Sequence, residues 1–252
     1  MASFQSDGVE IAYWVTGEGS PVLLIHGFAS NARVNWHDTQ WVKTLADAGH
    51  RVISYDNRGH GRSGKLYEPA AYTADEMADD ARRLLDHLDI PAADVVGYSM
   101  GARLTALLAI HNPDRVSHAV LGGLAANMIR GLGGSETIAA GLKAEDPASV
   151  SDPTARRFRA FAEQTGSDLK ALAACMRGSR QSIEPEALAR IACPVLVVAG
   201  ETDEIAGPVE PLVEAIPDAR GLTLPGRDHM KAVGDRRFKQ EVVAFLGQGS
   251  PI

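Results

Sequence analysis

The chain has 252 residues, of which 45% are hydrophobic and 23% charged, and its 25 Lys and Arg against 32 Asp and Glu give a formal net charge of −7. This is the composition of a globular chain long enough to bury a large core, and it excludes a disordered or fibrous class. The acidic balance speaks against a nucleic-acid surface, which needs a basic stripe, and against an anionic membrane as partner.

The N-terminal MASFQSDGVEIAYW has neither a basic start nor an apolar run, so no signal peptide is expected. No apolar stretch approaches the ~20 residues that span a bilayer. The only cysteines are Cys175 and Cys193; they read as free thiols in a reducing, cytoplasmic compartment, and two cysteines alone make no zinc site.

In chain order, Phe4–Ser6 and Val9–Val15 flank Asp7-Gly8, a hairpin turn signal. The pattern then changes. The short apolar runs Pro21–Ile25, Arg51–Tyr55, Ala93–Val96, Ser117–Leu121 and Pro194–Ala199 each close on a residue or pair such as His26-Gly27, Asp56, Gly97, Gly122 and Gly200. Such runs suit strands buried on both faces of a parallel sheet. Helical patterns alternate with them. Thr73-Ala74-Asp75-Glu76 reads as a capping box, followed by an apolar stripe at Met77, Ala81, Leu84, Leu85 and Leu88. A second helix spans Met100–His111, stopped by Asn112-Pro113. The expected class is therefore α/β with a mainly parallel sheet and right-handed crossovers.

Between about residues 125 and 187 the alternation fails. That segment carries Gly131-Leu132-Gly133-Gly134-Ser135 and helical patterns over Thr154–Gln164 and Asp168–Met176. A helical insertion between parallel strands would lie over their carboxyl ends, where open α/β sheets place ligands. The expected organisation is thus a core of residues 1–124 and 188–252 with a small cap or lid at 125–187.

Gly97-Tyr98-Ser99-Met100-Gly101 fits G-x-S-x-G after a predicted strand and before a predicted helix. A nucleophile on such an elbow needs small flanks at −2 and +2, and the helix N-terminus behind it favours an oxyanion. The Ser99 hydroxyl needs a base. Of eight histidines, His229 is the candidate, because Pro225–Met230 is read as a loop after the last strand pattern, Gly221–Leu224, and before the final helix at about Asp235–Leu246. Asp203, in Gly200-Glu201-Thr202-Asp203, is expected to orient that imidazole, with Glu201, Glu204 and Asp228 as weaker competitors. The amides of Met100 and Phe28 are the candidate oxyanion donors, with Ala29 in reserve. His26 reads as a structural residue. Expected substrate-binding residues are Tyr98, Leu124, Met128, Phe158, Phe161 and Met230, together with Phe28 and Met100.

His26-Gly27-Phe28, Asp56–Ser63, Gly97–Gly101, Gly200–Asp203 and Asp228-His229 stand in the order found in α/β-hydrolases, and over nearly the whole chain the sequence resembles that superfamily, in its serine esterase or lipase-like branch. The resemblance implies a mostly parallel eight-stranded sheet flanked by helices, a helical cap after strand six, a Ser-Asp-His order and neither cofactor nor metal. Phe28 stands where HGGG-type esterases carry further glycines. Gly59–Gly64 formally matches G-x-G-x-x-G, but Lys65–Pro69 intervenes before any helix, so a supporting turn is expected there and not a dinucleotide site.

The expected activity is hydrolysis of a small-molecule carboxylic ester through an acyl-enzyme. The same layout serves C–C bond hydrolases, enol-lactonases and cofactor-free perhydrolases, and Gly97–Leu104 looks like part of the menaquinone-pathway synthase that eliminates pyruvate. Arg103, four residues beyond Ser99, is expected to be solvated on its helix; reaching the cleft, it would favour a carboxylate-bearing substrate. A ligand sensor without turnover is the reading from another class. Monomer and homodimer both stay open.

Overall fold

A computed structural model describes residues 1–131 and 133–247; Leu132 of the glycine-rich stretch lies outside them. One eight-stranded sheet runs through it: β1 (Ala2–Ser6), β2 (Val9–Thr16), β3 (Ser20–Ile25), β4 (His50–Tyr55), β5 (Ala93–Tyr98), β6 (Val116–Gly122), β7 (Val195–Gly200) and β8 (Ala219–Leu224). Their order is β1-β2-β4-β3-β5-β6-β7-β8. The hairpin β1–β2 and the pair β2–β4 are antiparallel, and every later pairing is parallel.

The helices are α1 (Trp41–Asp47), α2 (Ala74–His87), α3 (Met100–His111), α4 (Ala126–Arg130), α5 (Ser135–Lys143), α6 (Pro153–Gln164), α7 (Leu169–Gly178), α8 (Pro185–Leu188), α9 (Glu210–Ala215), α10 (His229–Ala232) and α11 (Arg236–Leu246). Among the described residues none is long and apolar enough to cross a membrane.

The alternation of side chains along each strand builds two cores. On one face Leu23, Ile25, Val95 and Val197 pack with Met77, Leu84 and Leu104 of α2 and α3. On the other Val22, Leu24, Val96 and Leu196 meet Trp41, Leu45, Phe238 and Val242 of α1 and α11. Because both faces are covered, the strands are continuous apolar runs and not alternating ones. The buried side chains of α5 to α8, such as Leu142, Leu172 and Leu188, join the first of these cores, so the insertion between β6 and β7 has no separate core.

Thr73 caps α2, accepting from the Glu76 amide at 3.2 Å. The reciprocal half of the capping box is replaced: the Glu76 carboxylate instead faces Arg58 and Arg83 at 3.6 and 3.4 Å. The glycine pattern at 59–64 is a turn folded around Asp56, whose carboxylate accepts from the amides of Ala32 (2.8 Å) and Arg62 (2.7 Å). A Cβ on Gly61 would overlap that carboxylate.

Glycines 97 and 101 let β5 pass directly into α3 beside β3. A Cβ on Gly101 would fall inside the carbonyl oxygen of Ile25, and one on Gly97 inside the Gly101 carbonyl and the Thr105 hydroxyl. Both obstacles are backbone or fully buried. Gly101→Ala is therefore expected to cost at least about 3 kcal/mol through forced backbone displacement, read as a lower urea midpoint or loss of soluble protein. An unchanged midpoint would contradict this packing.

Candidate active site

The β5–α3 junction puts Ser99 in a backbone state that residues other than glycine seldom adopt, φ 56° and ψ −114°. Its amide is anchored on the Gly122 carbonyl of the neighbouring β6 at 2.7 Å. The strained turn leaves the side chain above the carboxyl ends of the strands. There the His229 Nε2 lies 3.1 Å from the Ser99 Oγ.

His229 is not in a loop, as the sequence suggests, but opens α10, whose N-cap Asp228 accepts from the Lys231 amide. The Tyr98 hydroxyl donates to the His229 carbonyl at 2.6 Å and fixes the backbone of that histidine. On the far side of the ring, Nδ1 lies 3.0 and 2.9 Å from the two carboxylate oxygens of Asp203. Asp203 is buried, and its Oδ1 also accepts from the amides of Ile205 (3.0 Å) and Ala206 (2.9 Å). A carboxylate held by this many donors stays in one orientation. It places the proton on Nδ1 and leaves the Nε2 lone pair toward Ser99. The competing acids are engaged elsewhere: Glu201 accepts from the Gly226 amide, and Asp228 caps α10.

Phe28 and Met100 stand on the loop after β3 and at the first turn of α3. Neither amide donates in a described hydrogen bond. Ala29, the reserve, is fully buried, and its carbonyl accepts from the Thr165 hydroxyl of the insertion at 2.9 Å.

A cleft of about 640 Å³ lies over Ser99 and His229. Phe28, Tyr98, Phe158, Phe161 and Met230 line it. Four expectations are corrected. Leu124 and Met128 are 2% and 0% exposed and pack into the main core, away from the cleft. Met100 likewise turns its side chain inward, its sulfur 4.0 Å from that of Cys175. Arg103 is not solvated at all but 2% exposed. Leu124, Met128 and Met100 lie on patterns whose inward direction the sequence gives, without saying whether core or cleft lies there; Arg103 does not, because an arginine on a helix reads as solvated. Conversely, Ser30, Asn35, Thr39 and Arg157 line the cleft unannounced by any motif, as does Glu204, which the sequence offers only as a competitor of Asp203. Asn35 accepts from the Gly27 amide at 3.2 Å, so it also braces the loop that carries Phe28.

The remaining histidines have structural partners. His26 Nε2 accepts from the Asn57 amide at 2.9 Å while Nδ1 donates to the Gly27 carbonyl at 2.8 Å, tying the β3 and β4 loops together. His60 lies against it, ring centres 5.3 Å apart, and donates through Nδ1 to the Arg58 carbonyl. Burial holds His26 down to about 4 and His60, beside it, to about 3. Both are therefore neutral in the folded protein. Below the ordinary histidine value near 6.5 the unfolded chain takes up protons that the native state refuses, so stability falls as pH drops from about 6.5 toward 4. Burial of Asp56, whose own value is raised, acts in the opposite direction at the same locus. The expected result is a loss of roughly 2 kcal/mol per histidine between pH 6.5 and 5, seen as a falling urea midpoint that declines less steeply in His60→Gln. An equal decline in that variant would remove His60 from the account.

A family model described as the α/β-hydrolase fold matches residues 20–132. The crystal structure of a hydrolase from Pseudomonas aeruginosa PA01 is 30% identical, with 98% of each chain covered and a TM-score of 0.81. An enol-lactonase from Burkholderia xenovorans LB400 shares the fold at 23% identity and a TM-score of 0.83, covering 98% of this chain and all of the other. Among curated proteins, the non-heme chloroperoxidase CPO-A1 of Kitasatospora aureofaciens is 40% identical over 116 residues, 46% of this chain and 40% of its own length. Rhodomycin D methylesterase DauP of Streptomyces sp. (strain C5) is 42% identical over 112 residues, 42% of this chain and 37% of its own. The chain thus spans about two fifths of the length of the curated relatives it matches. With the strand order, the strained serine elbow and the full-length likeness to the Pseudomonas hydrolase together, the chain belongs to the α/β-hydrolase fold family.

Proposed function

We propose that this protein is a serine hydrolase of small carboxylic esters. The observation that supports it is the continuous chain from Ser99 Oγ to His229 to Asp203, with contacts of 3.1 and 2.9 Å, beneath a cleft with apolar walls. In this reading His229 takes the Ser99 proton as the oxygen attacks the ester carbonyl. The amides of Met100 and Phe28 stabilise the tetrahedral oxyanion, aided by the positive end of α3. His229 then protonates the departing alcohol, and water repeats the sequence on the acyl-enzyme. Phe158 and Phe161 of α6 and Met230 of α10 form the walls that keep water from the acyl group, so residues 125–187 serve as the cap of a core made by 1–124 and 188–252. The methylesterase among the relatives shares the ester chemistry assigned here.

The test is a fluorophosphonate probe with a panel of p-nitrophenyl esters graded by acyl length. The expected outcome is a single adduct on Ser99, stoichiometric loss of turnover, and an optimum at a short or medium acyl chain set by the cleft. Turnover that survives complete labelling would reject the mechanism; saturable ester binding without an adduct would favour a sensor.

A further inference from the structure

Arg58, Arg103, Arg159 and Arg180 are buried or half-buried, and Arg103 and Arg180 have no counter-ion among the described residues. Arg58 grips Asp80 through two bonds of 2.7 and 2.8 Å and donates to the Ala71 carbonyl. Arg159 holds Glu163 at 2.6 Å and three backbone carbonyls. Each thus has a carboxylate and at least one backbone carbonyl, the kind of partners that a buried guanidinium requires. Arg103 and Arg180 differ. Arg103 is 2% exposed, yet its Nη1 has no hydrogen-bond partner among the described residues. The Arg180 guanidinium carbon lies 5.6 and 5.7 Å from the ring centres of Phe28 and Phe158. Neither pairs with a carboxylate among the described residues. Burial, with the charge of Arg180 as the lesser cause, pushes Arg103 down to about 10, and burial does the same to Arg180. Both remain cationic at neutral pH.

Two buried like charges without an anion are an unfavourable arrangement unless something else supplies the negative charge. Their position shows where it would come from. Arg103 sits one helical turn beyond Ser99, its amide 3.4 Å from the Ser99 carbonyl. Arg180 follows α7, whose Cys175 packs on Met100. Phe28 and Phe158, which form the wall of the cleft, stand edge to face at 5.7 Å with Arg180 behind them. The pair therefore lies on the Phe28 and Met100 side of the serine, behind the Phe28 and Phe158 wall and not among the residues that line the cleft. A leaving alcohol must depart beside His229 to receive its proton, so this opposite side belongs to the acyl group.

We propose that Arg103 and Arg180 form an anion subsite on the acyl side of Ser99, and that the favoured substrate is an ester whose acyl group carries a carboxylate. The inference rests on the serine hydrolase reading for its chemistry but not for its binding. Entry of the carboxylate between the Phe28 and Phe158 rings exchanges the cation–π contact of Arg180 for a charge-assisted hydrogen bond and gives the orphaned Arg103 Nη1 an acceptor.

The experiment compares kcat/KM for mono-p-nitrophenyl adipate and p-nitrophenyl hexanoate, two esters of equal acyl length. The wild type is expected to prefer the adipate at least tenfold. Arg180→Met and Arg103→Met are each expected to lower that preference ratio at least tenfold, mainly through KM of the adipate. A wild-type ratio near or below one, or a ratio that both variants leave unchanged, overturns the subsite. Should neither ester turn over, the hydrolase reading fails separately, and the subsite is decided by melting the protein with free adipate. A rise in Tm that Arg180→Met abolishes supports it, and no rise overturns it. Replacing an uncompensated buried cation by methionine is not expected to unfold the chain, and Arg180→Lys provides a second variant that keeps the charge but loses the fork.

Discussion

Replacing Ser99 by alanine is expected to lower kcat/KM for p-nitrophenyl butyrate by at least about 10⁴-fold, with Tm within a degree or two of the wild type. The two halves of that expectation have different sources. The Ser99 Oγ has one described hydrogen-bond partner, the His229 Nε2, so its removal leaves no other buried polar group without a partner. Serine and alanine also tolerate φ 56° equally poorly, and the backbone strain at the elbow is the same in both. Activity, by contrast, loses under the proposed mechanism the atom that forms the acyl bond, leaving only the amides and the cleft to assist water. The measurement is initial rates with active-site titration beside a melting curve. Residual turnover above about 1% would show that another group attacks the ester.

The parts of this site that could be read in the sequence are those enforced by close contact along the backbone. Gly97 and Gly101 are dictated by the Ile25 and Gly101 carbonyls pressed against them, and that constraint writes itself as G-x-S-x-G. The strands were legible for a similar reason: a strand covered on both faces has room only for apolar side chains, as Leu23 and Leu24, turned to opposite cores, illustrate. Asp203 and His229 followed from their places after β7 and β8. What the sequence hid depends on contacts between segments distant in the chain. The short helices α1, α4 and α9 carry too few turns for periodicity to stand out. Asn35 reaches the cleft from a single wide π-helical turn at Arg33–His37, where it accepts from the Gly27 amide. Leu124 and Met128 point inward as their pattern requires, but the insertion fills that space with core. Arg103 is charged on a helix, which ordinarily means a solvated face; it is buried here, where Cys175 of α7 packs on Met100 at the start of α3.

Asp203→Asn is the second large effect, and it separates the orientation of the imidazole from the integrity of the fold. The carbonyl oxygen of the asparagine can still accept from the Ile205 and Ala206 amides, as Oδ1 does now. Its amide group would then face His229 Nδ1 as a donor. That reverses the demand on the ring: Nδ1 must accept, the proton moves to Nε2, and the lone pair that should receive the Ser99 proton is gone. The cation formed during attack also loses its counter-charge. The expected loss in kcat is about 10³- to 10⁴-fold, with a nearly unchanged urea midpoint. Asp203→Ala should lose comparable activity and, in addition, stability of about 1–3 kcal/mol, because one buried and one half-buried amide are left without an acceptor. If Asp203→Asn keeps more than a tenth of the wild-type kcat, another acid must support His229, and Glu201 and Asp228 are the neighbours to replace next. A decline in stability as large as that of the alanine variant would mean that the asparagine fails to hold the Ile205–Ala206 turn, and that the loss of rate reflects displaced geometry and not the wrong tautomer.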